Sequence, residues 1–341
     1  MSARLDLRNL VLELPTPGGW VRPVAEVSFA LQEGESLGIV GESGSGKTML
    51  ALALMGLLPP GARASGEAWL YPRDPAEDHR GENLLALPPD RMRRLRGKEI
   101  AMIFQEPMTA LNPLMRIGAQ VEEAIRVHDS RAGGKEFARR SLVALGRASV
   151  PEPARRALQY PHQLSGGLRQ RVMIAIALAA SPGILIADEP TTALDVTVQS
   201  QILALLSQLC REMRLSLIFI THDLGVVAQI ADRVAVMYAG RIVEEGSTSD
   251  VLRRPLHPYT EGLLRAAPRL SREKLVPIPG SVPALDALPP GCSFGPRCAI
   301  HIERCDAAIP GLADTEATFP PHRARCILVG QRSAQRKRED A

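Results

Sequence analysis

Apolar and polar positions along the chain change period several times, and each change marks an element. Residues 5–14 (Leu-Asp-Leu-Arg-Asn-Leu-Val-Leu-Glu-Leu) alternate over much of their length, as a half-buried strand does. The Pro- and Gly-containing cluster at 15–19 reads as a turn. An apolar stretch over 24–31 is broken at Gly34. The compact run Ser36-Leu37-Gly38-Ile39-Val40, flanked by glycines, then has the composition of a strand buried on both faces. From 48 to 58 the chain is dense in Ala, Leu and Met, a pattern predicting a helix that Pro59-Pro60 ends. Residues 61–98, mixed and rich in Pro, Gly and Arg, predict short edge elements and loops.

Further strands are expected at 100–104, 184–187 and 216–221, with a mostly helical region over 106–180 and a helix around 198–213. Strands alternating with helices imply a parallel sheet covered on both faces. Beyond about residue 261 prolines crowd in, at 268, 277, 279, 283, 289, 290 and 296, so a smaller C-terminal module is expected. The last ten residues, 332–341, are polar enough to predict a disordered basic tail. The longest uninterrupted apolar run, 172–180, has nine residues. That is about half of the ~18 that would argue a membrane-spanning helix, so any membrane association is expected to be peripheral.

Composition removes some function classes. The chain has 341 residues, enough for one large domain or two ordinary ones, and its 45% hydrophobic and 23% charged content is that of a globular protein. Its 41 basic and 37 acidic residues leave a formal charge of +4, too slight to argue for nucleic acid, and no nucleic-acid partner is expected. The opening residues mix charges throughout, unlike a secretory signal. The chain is therefore expected inside the cell, where disulfides are rare. Cys210 falls in a predicted helix among Leu206, Leu209 and Met213 and reads as a core residue. The other four cysteines, Cys292, Cys298, Cys305 and Cys326, lie within 35 residues near the C-terminus.

Candidate chemistry starts directly after the strand at 36–40. Gly41-Glu42-Ser43-Gly44-Ser45-Gly46-Lys47-Thr48 fits the phosphate-binding pattern G-x-x-x-x-G-K-[ST] between a strand and a helix. Its glycines let backbone N–H groups line an anion nest at a helix N-terminus. Lys47 would reach the β- and γ-phosphates, and the Thr48 hydroxyl would ligate Mg²⁺. Hydrolysis also needs a metal-holding carboxylate and a base. The apolar run 184–187 leads into Asp188, a candidate Mg²⁺ ligand, and Glu189, a candidate general base.

Leu164-Ser165-Gly166-Gly167 resembles the signature of the ATP-binding cassette (ABC) ATPases. With it come Gln105, matching the Q-loop; Ala193-Leu194-Asp195, matching the D-loop; and His222, matching the switch histidine, all in family order. The resemblance covers roughly residues 1–262. It implies an α/β, RecA-like nucleotide-binding domain with a helical subdomain at about 106–180 and antiparallel edge strands, followed by a small cysteine-containing extension over 263–331. It also implies a head-to-tail pair of cassettes, in which Ser165, Gly166 and Gly167 of one subunit bind the γ-phosphate held by the other. Gln105 would touch Mg²⁺, His222 would hold the γ-phosphate and orient water, and Asp195 would communicate across the dimer. Leu168 stands where Gln is usual, as in the peptide-importer branch. The family stacks adenine on an upstream aromatic; Trp20 is the candidate, and a packing lid is its other reading.

Phe104-Gln105-Glu106-Pro107-Met108-Thr109-Ala110-Leu111-Asn112-Pro113, Tyr160-Pro161-His162-Gln163 and His257-Pro258-Tyr259-Thr260 are similar to the dipeptide and oligopeptide importer branch. The stretch around Cys292 and Cys298, with Cys305 and Cys326, looks like that branch's C-terminal extension, spaced C-x5-C-x6-C-x20-C. Four thiolates can hold a [4Fe–4S] cluster, which the resemblance favours, or Zn²⁺, or can pack as reduced thiols. The implied protein is the ATPase subunit of a peptide importer on the cytoplasmic face of the membrane. Its implied partners are a second, paralogous cassette, two permeases and an extracytoplasmic peptide-binding protein. A soluble ABC switch of translation or repair, and an importer of a related solute such as nickel or glutathione, are the alternatives.

Overall fold

The computed structural model describes residues 3–73, 81–106, 110–129, 133–192, 194–267, 277–314 and 321–330. The expected basic tail at 332–341, residues 107–109 of the Q-loop stretch and Ala193 lie outside them. The alternating segment is β1 (Ala3–Thr16), with Leu5, Leu7, Leu10 and Leu12 buried. A two-residue turn at 17–18 leads to β2 (Gly19–Gln32). β3 (Ser36–Val40) is buried at all positions, as its unbroken apolar character requires. The stretch expected to hold short elements contains β4 (Arg63–Leu70), β5 (Glu82–Asn83) and the helix Pro89–Leu95. β6 (Ile100–Ile103), β7 (Ile184–Asp188) and β8 (Ser216–Thr221) fall where predicted and are buried throughout. Periodicity did not single out β9 (Arg233–Tyr238), β10 (Arg241–Ser247), β11 (Ala313–Asp314) or β12 (Arg323–Ala324).

The chain divides into two compact units. One comprises residues 1–5, 31–35 and 70–220. In it β8, β7 and β6 run parallel in that order, with Ile184 opposite both Ile100 and Ser216. The helices Ile117–Arg126, Gly134–Arg147, Pro153–Ala157 and Gly166–Leu178 pack on one another, realising the expected helical region. Their inward faces follow the helical repeat: Ile117, Val121 and Ile125 on one, Phe137, Ser141 and Leu145 on the next. Cys210 is buried in the helix Val196–Met213, a core residue as expected.

The other unit comprises residues 6–30, 36–69 and 221–341. It holds β2, β1 and β4 as neighbours in one sheet. In a second sheet β3 runs parallel to β9, and β10 returns antiparallel. Past the cysteine-bearing loops, β12 adds to β10, pairing Ala324 with Glu244 and Arg323 with Glu245, and β11 adds to β12. Leu256, Ala324 and Val329 form a small core there, with Cys326 against it. The Glu244 carboxylate, wholly buried, accepts bonds from the Leu256 and His257 N–H groups at 2.7 and 2.8 Å and lies 2.9 Å from His322 Nε2. Each of its oxygens is thus used, which is what makes burying the charge tolerable.

Candidate nucleotide site

Three glycines permit the shape of the loop after β3. Gly44 and Gly46 have φ of +79° and +101°, values that L side chains rarely adopt. A Cβ on Gly46 would lie 2.0 Å from the Pro23 carbonyl oxygen, and one on Gly41 would lie 2.2 Å from that of Met237. Gly46 is the N-cap of the helix Lys47–Leu54. Lys47 is buried inside the curl, its ammonium donating to the carbonyls of Gly41 at 2.7 Å and Glu42 at 3.0 Å and reaching Ser45 Oγ at 3.4 Å. Ser45 is buried, whereas Ser43, Gly44 and Thr48 are exposed. Glu42 is anchored from the C-terminal region, by the hydroxyl of Tyr259 and the guanidinium of Arg297.

Asp188 is the last residue of β7 and 1% exposed. Glu189 follows with φ of +45°, an uncommon conformation for a non-glycine residue and one that recurs at functional sites. Its N–H donates to the Ile220 carbonyl at 2.9 Å. Its carboxylate accepts from Thr192 Oγ1 at 2.8 Å and Gln105 Nε2 at 3.3 Å. Gln105 and Glu189, predicted separately, are therefore brought together. Thr192 was not foreseen; its position three residues past Glu189 is the available signal, since a tight turn after a strand folds that hydroxyl back.

Ser165 caps the helix Gly166–Leu178, its Oγ accepting from the Leu168 N–H at 3.4 Å. Gly167 is required by packing, because a Cβ there would sit 2.8 Å from Val198 Cγ1; Gly166 and Ser165 are exposed. Asp195 caps the helix Val196–Met213, Oδ1 accepting from the Val198 N–H at 2.9 Å. His222 is exposed immediately after β8, where Asp223 starts the next helix by accepting from the Gly225 N–H. Trp20 is 44% exposed, with the Arg63 guanidinium 3.9 Å from its ring centroid.

None of the four C-terminal cysteines is in a disulfide, and Cys305 is buried. The Cys292 N–H donates to the Cys305 carbonyl at 2.8 Å. Burial pushes the Cys292 thiol up, and the neighbouring Cys326, Cys298 and Cys305 push it further in the same direction. Among the described residues no group of three or more His, Cys, Asp or Glu side chains is placed to hold a metal ion. No helix among them is long and apolar enough to cross a membrane.

The ABC transporter family profile matches residues 24–192, and the profile of the oligopeptide/dipeptide transporter C-terminal region matches 243–305. The chain is 49% identical over 311 residues to the oligopeptide transport ATP-binding protein OppD of Escherichia coli, covering 91% of this chain and 89% of that one. It is 46% identical over 337 residues to the dipeptide transport ATP-binding protein DppD of Bacillus subtilis, covering 98% and 97%. Among solved structures, a dimeric ATP-binding cassette in a post-hydrolysis state with ADP and Pi superposes with a TM-score of 0.62 at 30% identity, over 72% of this chain and 98% of that one. CbiO1 of Clostridium perfringens, part of an ABC transporter complex, gives 0.60 at 26% identity, over 74% and 92%. With its phosphate loop, strand-end carboxylates and cysteine-bearing extension, the chain belongs to the ABC transporter ATPases, in the branch of the oligopeptide and dipeptide transport ATP-binding proteins.

Proposed function

We propose that this chain hydrolyses ATP to power peptide uptake through a membrane importer. It would act at the cytoplasmic face of the membrane with a paralogous second cassette, two permeases and an extracytoplasmic peptide-binding protein. One observation carries the reading: a phosphate loop with a buried lysine and a C-terminal region of the peptide-transporter type occur in one chain that aligns over nearly its whole length with peptide transport ATP-binding proteins.

The division of labour follows from each residue's chemistry. Backbone N–H groups of Gly41, Ser43, Gly44 and Gly46, with Lys47, would hold the phosphates at the start of the helix, while those of Glu42 and Ser45 shape the loop by donating to Tyr259 Oη and the Glu42 carbonyl. Thr48, Gln105 and Asp188 offer the oxygen donors that Mg²⁺ prefers. The buried Asp188 carboxylate at the end of β7 offers a hard oxygen of the kind a divalent cation prefers. Mg²⁺, when bound, supplies neutralisation of the charge that builds on the phosphates. Glu189, its carboxylate aimed by Thr192 and Gln105, would take the proton of the attacking water, and His222 would orient that water. Ser165, Gly166 and Gly167 would close on the nucleotide of a partner cassette, with Asp195 beside them at the interface. Adenine would stack on Trp20, opposite Arg63.

For Cys292, Cys298, Cys305 and Cys326 we favour a [4Fe–4S] cluster over Zn²⁺. The C-x5-C-x6-C-x20-C spacing lacks the close C-x2-4-C pairs from which structural zinc sites typically draw their ligands. Anaerobic purification with iron, sulfide and zinc assays and a visible spectrum tests this; a colourless, iron-free, fully active protein refutes it. The main reading is tested by reconstituting the chain with its permeases in vesicles. Peptide accumulation should require ATP and stop with Glu189→Gln. Stimulation of the ATPase by ribosomes or DNA, with no peptide uptake, would favour the soluble switch instead.

A further inference from the structure

Glu42, the second residue of the phosphate loop, is held at three points. Its N–H donates to Tyr259 Oη at 2.8 Å, its carbonyl accepts from the Lys47 ammonium at 3.0 Å, and its carboxylate accepts two bonds from Arg297, at 2.7 and 3.0 Å. Arg297 is 7% exposed and comes from the cysteine-bearing segment, directly before Cys298. Two further donors are engaged, Nε on the Pro279 carbonyl at 2.9 Å and Nη1 3.4 Å from Tyr238 Oη. Tyr238, Tyr259 and Phe294 pack ring against ring at 4.6 to 5.4 Å beneath it. Burial pushes the Tyr259 phenol far up, so it stays neutral and accepts the Glu42 N–H.

We propose that Arg297 is a positioning residue of the ATP site: by gripping the Glu42 carboxylate it fixes the peptide whose carbonyl seats Lys47, making the C-terminal region a working part of nucleotide binding. The proposal rests on reading Lys47 as the phosphate-binding lysine. A loop with two left-handed glycines has little stiffness of its own, so its shape must be imposed from outside. A guanidinium fork meeting both carboxylate oxygens fixes orientation as well as distance, which a lysine cannot do. The low exposure of Arg297 limits water's access to the guanidinium side of the pair. A simple fold staple would require only that Glu42 and Arg297 touch; here the same residue also carries a carbonyl that Lys47 uses.

The test is binding of a fluorescent ATP analogue to the full chain, together with steady-state hydrolysis and thermal unfolding. Arg297→Met should raise Kd and KM for ATP about tenfold or more, with kcat changed far less. Arg297→Lys should recover part of the loss. Glu42→Gln, on a side chain that is partly exposed and so remains informative if Arg297→Met fails to fold, should reproduce the effect. The double variant should be no worse than either single one. Unchanged ATP affinity with only a lowered Tm, or fully additive losses, overturns the proposal. Lys47→Ala separates the two readings. If it leaves ATP binding intact, the assignment of the site fails; if it abolishes binding while Arg297→Met and Glu42→Gln bind like the parent, only the role of Arg297 fails.

Discussion

The side-chain amide of Gln105 donates to the carboxylate of Glu189 across 3.3 Å. Parallel pairing of β6 with β7 sets Ile103 opposite Ala187. Gln105 and Glu189 follow two residues later, just past the ends of the two strands, and come side by side there. The proposed base thus accepts a bond from a residue that also belongs to the proposed Mg²⁺ shell. Glu189→Gln should keep ATP affinity and lower kcat about 10²- to 10⁴-fold, the range for loss of a general base. Thr192→Val, which removes the 2.8 Å bond to that carboxylate, should lower kcat about tenfold with KM unchanged. Single-turnover hydrolysis measures both; turnover unaffected by Glu189→Gln would remove it as the base.

Gly44 and Gly46 share a left-handed backbone but differ in surroundings. A Cβ on Gly44 meets nothing within 4 Å, whereas one on Gly46 would overlap the Pro23 carbonyl. Gly44→Ala should carry only the conformational penalty, about 1–2 kcal/mol, and still bind ATP measurably. Gly46→Ala should lose ATP binding and a larger share of stability. Thermal unfolding and nucleotide titration of the two variants side by side check the ranking, and equal effects would contradict the geometry.

Asp195 has a structural task beside any role in a cassette dimer, since it caps the helix Val196–Met213. Asp195→Ala should lower stability by about 1 kcal/mol. Asp195→Asn keeps an oxygen on the Val198 N–H and should unfold close to the parent temperature. Denaturant melts of both variants separate cap from charge, and an Asn variant as unstable as Ala would deny the capping role.

Glu245, on β10, pairs with Arg323 on β12 at 3.4 Å, yet burial dominates and pushes its carboxyl above the ordinary value of 4.5. The folded state therefore keeps this proton to higher pH than the unfolded chain does. Folding takes up protons as pH rises above that value, so this group's contribution to stability declines across the window. Glu245→Gln removes the titration, and its Tm relative to the parent should climb as pH is raised from 4.5 toward neutrality. A difference that stays flat with pH would show that Arg323 and Arg233 offset the burial.

The strands β1, β3, β6, β7 and β8 were legible because their period or unbroken apolar character reflects one or two buried faces. β9 and β10 were not, although both are largely buried: Glu244 and Glu245 interrupt the apolar run of β10, and only the Leu256 and His257 N–H groups, His322 and Arg323 explain how those carboxylates are accommodated.

The phosphate loop and the Asp188–Glu189 pair are legible in the chain because each motif is local and its residue types follow from phosphate and metal chemistry, whereas Gln105, Ser165, Asp195 and His222 are legible through their resemblance to the ABC motifs in family order. The same holds for the four clustered cysteines, whose spacing alone marks out a separate segment. Tertiary structure decided what those motifs lean on: Thr192 and Gln105 on Glu189, Tyr259 and Arg297 on Glu42, and β12 on β10. Glu42 and Arg297 are 255 positions apart. No local pattern records such a pair, since a hydrogen bond between distant segments depends on how the sheet brings them together and leaves no period in the sequence.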